Sequence, residues 1–189
     1  MFNKKASNPK NKPNLILDHL QLKKGNLVAD IGSGGGYFSL RFAEAVEKEG
    51  VVFAVDTNSG FLEFIKENAK EKGLDNVKTV LTSEDDLSLP ENVDLIFMRN
   101  VCHHIPNRTG YFRKLKKWLR EGGRVAILEY RKAKRFTFHG LFGHYVPKEK
   151  NHKGNDSSRI SIKGRFYFSS RTIFYNLFHE ILEQKSVTT

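Results

Sequence analysis

Residues 28–37, VADIGSGGGY, constrain the fold of this chain more than any other stretch. Apolar positions run into Asp30, and four glycines, Gly32, Gly34, Gly35 and Gly36, follow at once. The next residues, SLRFAEAVEKE, carry Leu40, Phe42, Ala43 and Val46 at helical spacing. A buried strand, a tight glycine turn and a helix start are therefore expected in succession. Glycine permits positive φ and lets a ligand approach bare backbone. A helix N-terminus adds N–H groups without intrahelical partners and the positive end of a dipole. The turn suits an anionic or carbonyl-rich ligand.

The same alternation continues along the chain. Helical patterns are expected over 15–22, 38–49, 61–72 and 111–119, and strands over 27–31, 51–55, 77–81, 93–98 and 124–129. Ser59 is expected to cap the third helix and Gly73 to end it. The run VDLIFM at 93–98 lacks polar alternation, as a strand covered on both faces does. Strands alternating with helices imply an α/β fold with a mostly parallel sheet and helices on both faces. Ligands bind such sheets beyond the carboxyl ends of the strands, where the strand order reverses. The residues to weigh are then 30–36, Asp56 with Thr57, 83–86, 99–104, and Glu129 with Tyr130.

At 189 residues the chain makes one domain with a full core. Its single cysteine, Cys102, excludes a disulfide framework, no apolar run approaches a membrane span, and the N-terminus lacks the apolar stretch of a signal peptide. A cytoplasmic location is expected. The net charge of +11 raises the question of nucleic acid. Residues 1–13 hold four Lys and no acids, residues 14–130 hold 16 basic and 17 acidic side chains, and residues 131–189 hold 12 basic and four acidic. The excess lies outside the segment with the glycine turn, so solvated ends are favoured over an RNA-binding arm. Residues 1–13 read as a disordered basic N-terminus.

Asp56 ends the second strand, 24 residues after Gly32. A carboxylate there can accept both hydroxyl hydrogens of a ribose. Alone it could equally cap the following turn; beside the glycine turn the ribose reading gains. The turn fits G-x-G-x-G but not G-x-G-x-x-G, whose last glycine falls at Tyr37, and no Lys-Ser/Thr pair makes it a P-loop. Tyr130 and Lys134 match a Tyr-x-x-x-Lys pair, but after a strand rather than on a helix, and are taken as chance. Cys102, His103 and His104 are consecutive and so poorly placed to converge on one ion; His139 and His144 add little, and no metal is expected.

Taken in order, D-I-G-S-G-G-G-Y, A-V-D, S-E-D-D-L-S-L-P, D-L-I-F-M-R-N-V-C-H-H-I and L-R-E-G-G-R-V resemble the motifs of class I S-adenosylmethionine-dependent methyltransferases. Within them the chain is most similar to the small-molecule branch called type 11 or methyltransferase-domain 25. The resemblance covers about 15–150; residues 14–150 read as the S-adenosyl-L-methionine-binding methyltransferase domain and 151–189 as an atypical basic tail. It implies a Rossmann-like sheet and a methyltransferase activity. It places Asp30, Gly32, Gly34 and Gly36, with Ser33 and Tyr37 in the same turn, at the methionine end of the cofactor. Asp56, followed by Thr57, takes the ribose hydroxyls. Ser83, Glu84 and Asp85 lie in the adenine loop, and Arg99 and Asn100 beside the sulfonium methyl. Gly122 and Gly123 form a structural turn. The single cysteine argues against the arsenite methyltransferases, and the missing Asn/Asp-Pro-Pro-Tyr/Phe motif against base or glutamine methylation.

The protein's task in such a reaction is chiefly positioning, which contributes roughly 7–11 kcal/mol. A general base helps only where the acceptor carries a proton. His103 and His104 are the candidates, with a packing role for both as the alternative. Three functions stay open: methylation of a small molecule, cofactor binding with weak or no activity, and methylation of RNA or protein.

The tail departs from the family. After residue 150 the family continues with a helix and two strands, whereas Asn155, Asp156, Ser157 and Ser158 break any helix here. Lys148, Glu149, Lys150 and Asn151 require an adenine-rich coding run. Removing one adenine lets permitted codons spell an amphipathic helix, a glycine turn and two alternating strands. Residues from about Asn151 are therefore expected to be out of frame, with the last strands altered or missing. Resequencing that finds no adenine run across codons 149–151 overturns this. The fifth strand is then expected to keep an exposed edge, through which the chain could form a homodimer.

Overall fold

The computed structural model describes residues 3, 6–83, 87–105, 108–130, 160–169 and 172–179. The strands are β1 Leu27–Ile31, β2 Val51–Asp56, β3 Val77–Leu81, β4 Val93–Arg99, β5 Leu119–Tyr130, β6 Ile160–Ser169 and β7 Thr172–His179. The helices are α1 Pro13–Leu20, α2 Tyr37–Val46, α3 Ser59–Glu71 and α4 Arg108–Leu115. One sheet takes the strands in the order β3-β2-β1-β4-β5-β7-β6. Strands β1 to β5 pair in parallel, and the order reverses between β1 and β4. The glycine turn follows β1 and so opens at that reversal.

Both faces of the sheet are covered, as expected. Side chains alternate along a strand. Leu95 and Phe97 of β4 therefore pack with Ile16, Leu20, Phe38 and Phe42 of α1 and α2. Ile96 and Met98 pack on the other side with Tyr111, Phe112 and Leu115 of α4. Phe38, Phe42 and Val46 lie four residues apart and form one apolar stripe along α2. The fully buried Phe97 ring sits between Phe38 and Phe42, with both centroid distances 5.1 Å. This aromatic cluster fixes the start of α2, and hence the turn before it, against the middle of the sheet.

Several boundaries differ from expectation. Helix α2 ends at Val46 rather than 49, because Glu47 adopts φ 55°. Asn58, not Ser59, caps α3, its Oδ1 accepting from the Phe61 N–H at 3.2 Å. Helix α4 starts at Arg108, and a 3₁₀ turn, Lys116–Trp118, replaces its expected end. Strand β5 begins at Leu119, which pairs with Val93; the next pair is Leu95 with Arg124. The Gly122-Gly123 turn is thus a bulge inside the strand.

Described residues at both ends of the chain meet the core or the sheet. The N-terminus is not wholly detached: Ala6 is buried with Ile16 and Leu20, and Pro9–Asn11 form a 3₁₀ turn leading to α1. One small apolar side chain between lysines is enough to seat the segment on the core. Nor is the edge of β5 exposed. Strand β7 pairs antiparallel with it from Arg124↔Phe178 to Tyr130↔Thr172, and β6 pairs antiparallel with β7. Two strands thus follow β5 in antiparallel pairing, and β7 lies along its edge. The physical reason is composition: RFYFS and TIFYNLF are dense in aromatic and β-branched residues, which favour strands without a helical stripe before them. Lys134, His139, His144 and the 148–159 stretch lie outside the described residues. Among the described residues no helix is long and apolar enough to cross a membrane.

Candidate cofactor site

The turn after β1 is held by the end of β2. The Gly32 and Ser33 N–H groups both donate to the Val55 carbonyl, at 2.8 and 3.1 Å, and Gly36 N–H closes the turn on the Ser33 carbonyl at 2.9 Å. Gly34 N–H donates to Asp56 Oδ2 at 2.9 Å, and Asn58 N–H to Asp56 Oδ1 at 3.0 Å. The half-buried carboxylate is thereby fixed between the glycine turn and the entry to α3. Each oxygen keeps a lone pair for a further donor, so two hydroxyls can still be accepted.

The glycines serve the turn in different ways. Gly32, Gly34 and Gly36 have φ of 69°, 53° and 76°, which side chains other than glycine's adopt only with strain. A Cβ on Gly32 would collide with Val101 Cγ2, and one on Gly36 would lie 2.5 Å from Ile65 Cγ1. Those bare faces therefore look toward protein, and what the turn offers a ligand is its backbone. Ser33 adds a hydroxyl that is buried without a hydrogen-bond partner among the described residues. A buried hydroxyl lacking a partner costs about 1–3 kcal/mol, and a polar ligand group there would supply one. Helix α2 also begins on Gly36 with no side-chain cap. The turn fits a nucleoside cofactor whose carboxylate end lies at a helix N-terminus.

Asp30 lies beneath the turn rather than on it. It is buried, its Oδ2 accepts from Ser39 Oγ at 2.6 Å, and burial raises its pKa to about 6. The Ser39 hydroxyl bond and the charge of Arg99 oppose that rise; the charge of Asp56 adds to it. Asp30 thus ties β1 to the first turn of α2. Tyr37 opens that helix, its hydroxyl accepting from Arg41 Nη1 at 3.2 Å and its ring edge-on to Phe38 at 5.2 Å. Ser39 and Ile65 shape the site without belonging to any sequence motif, and Val101 lies in one without a role assigned to it. Their signal is three-dimensional: Val101 and Ile65 fill the space beside Gly32 and Gly36, and Ser39 bonds Asp30.

On the other side of the reversal, the Arg99 guanidinium sits 5.7 Å from the centre of the Phe38 ring. Asn100 follows with φ 56°, its N–H bonded to the Leu128 carbonyl at 2.8 Å. A left-handed asparagine at a strand end redirects the chain across the mouth of the site. Cys102–His104 form a 3₁₀ turn, in which Cys102 is buried and His104 is exposed. Thr57 and Ser83 are exposed, whereas Glu84 and Asp85 lie outside the described residues. Leu81, paired with Asp56 across β2 and β3, is 62% exposed, an apolar surface beside the carboxylate.

A family model described as methyltransferase domain matches residues 22–181, most of the chain. The chain belongs to this family, whose members depend on S-adenosylmethionine. It is 30% identical over 125 residues to (S)-coclaurine N-methyltransferase of Thalictrum flavum subsp. glaucum, covering 66% of this chain and 34% of that protein. It is 27% identical over 147 residues to a ubiquinone/menaquinone biosynthesis C-methyltransferase of Idiomarina loihiensis, covering 75% and 59%. The chain therefore spans between a third and three-fifths of these relatives. A SAM-dependent methyltransferase from Aquifex aeolicus has the same fold, with TM-score 0.75, 20% identity, and 94% and 97% of the two chains covered. A coclaurine N-methyltransferase solved with N-methylheliamine and SAH aligns with TM-score 0.59 and 25% identity, covering 62% and 34%.

Proposed function

We propose that this protein transfers a methyl group from S-adenosylmethionine to a small-molecule acceptor. The observation that supports this reading is the Asp56 carboxylate bonded to Gly34 N–H, a group able to accept ribose hydroxyls held against the glycine turn. When bound, S-adenosylmethionine supplies a methyl group already activated on a sulfonium. Asp56 holds the ribose hydroxyls, with Thr57 next to it. Leu81 offers the purine an apolar face, and Ser83 follows it, with Glu84 and Asp85 assigned to the same adenine loop by sequence alone. The backbone of 32–36 and the Ser33 hydroxyl receive the methionine end. Arg99 and Asn100 border the place where the acceptor meets the methyl. His104, exposed on the turn beyond them, or His103 takes a proton where the acceptor carries one.

The acceptor class is supported by relatives named for N-methylation of coclaurine and C-methylation in quinone biosynthesis. Titration calorimetry with S-adenosylhomocysteine, followed by transfer of labelled methyl to fractionated small-molecule and RNA extracts, tests the proposal. Asp56→Ala should weaken binding by about tenfold to a hundredfold, the loss of hydrogen bonds to a charged acceptor. Equal binding by the variant overturns the cofactor assignment. Label appearing only in RNA or protein overturns the acceptor class.

A further inference from the structure

The middle glycine of the turn, Gly35, has a different neighbour from the others. Its φ lies outside the left-handed region, so its backbone conformation does not demand glycine. The space where its Cβ would stand is filled by the carboxamide of Asn3, and Asn3 Nδ2 donates to the Gly35 carbonyl at 2.7 Å. The Ser7 N–H donates to the Asn3 carbonyl at 2.8 Å, the spacing of one helical turn, and Ala6 on that turn is buried in the core beside Phe38 and Phe42. Asn3 is thus presented to the turn by an anchored segment. It engages a carbonyl, and so leaves the donor groups at the start of α2 to an anionic ligand.

We propose that Asn3, seated by Ala6 and Ser7, is a strap on the cofactor turn and a positioning residue for cofactor binding. The inference rests on the cofactor site proposed above. Clamping and binding must then favour each other reciprocally. In the full-length protein, Asn3→Ala should weaken S-adenosylhomocysteine about tenfold by calorimetry, and Gly35→Ala, which expels the same carboxamide, by a similar factor. The double variant should be no weaker than either single one, because both changes break one contact. Hydrogen exchange at the Ser7 N–H should slow several-fold when S-adenosylhomocysteine is added. Thermal melts separate loss of the strap from loss of fold, since Asn3→Ala removes only a part-buried contact. If the native protein binds and Asn3→Ala binds equally well, or the two losses multiply, the strap is refuted while the cofactor site stands. If the native protein does not bind, both fall.

Discussion

Asp30 is a carboxylate placed where water is scarce, under the first turn of α2, with the Ser39 hydroxyl bonded to it. Its pKa of about 6 in the fold exceeds the ordinary value of 3.8, so between these pH values the folded state binds more protons than the unfolded state. The sign follows. The contribution to stability is fully present below pH 3.8 and is lost as pH rises through about 6. The span corresponds to about 3 kcal/mol for this one group. Asp30→Asn keeps an acceptor for Ser39 and removes the titration. Urea unfolding between pH 4 and 8 should therefore show the native protein losing up to about 3 kcal/mol relative to the variant as pH rises. A constant difference across that range would mean that the carboxylate is not desolvated as described.

At the scale of elements, the unit that matters is β1, the turn and α2, with α3 behind them. Gly36 makes this concrete, because its φ of 76° and the Ile65 side chain both oppose a Cβ. Gly36→Ala should cost about 2–4 kcal/mol, combining left-handed strain with overpacking. Ile65→Val in the same protein should return part of the packing share, leaving the strain. Chemical denaturation of the single and double variants reads both; full additivity would place the obstacle elsewhere. The periodicity of SLRFAEAV and the glycine cluster made this unit legible from sequence, since local pattern and local geometry coincide there. Asp56 was legible for the same reason, standing at a fixed distance beyond the turn. Val101, Ile65 and Ser39 were not, because their roles come from which surfaces the parallel sheet brings together. Ala6 was hidden by the lysines around it. In the tail, strand-forming aromatics stand without the helical stripe that would place them after a helix.

For the molecule as a whole, the consequence of β6 and β7 is closure of an edge. Strand β5 carries a continuous row of pairing groups, met by β7 over seven residues from Arg124 to Tyr130. Its inner residues Val125, Ala126, Ile127 and Leu128 are buried, so the strand is apolar as well as long. An unpaired strand of that kind is a template for association. A chain cut after residue 158 removes the hairpin but leaves α1 to α4 and the glycine turn in place. The cofactor residues all precede the cut, so the site is retained at the level of contacts. The cost falls on the edge, which must find another strand. The truncated protein should therefore sediment as a concentration-dependent dimer or larger species while the full chain does not, and its unfolding midpoint should drop. A monomeric truncated chain of unchanged stability would show that β7 contributes pairing without being needed to protect β5.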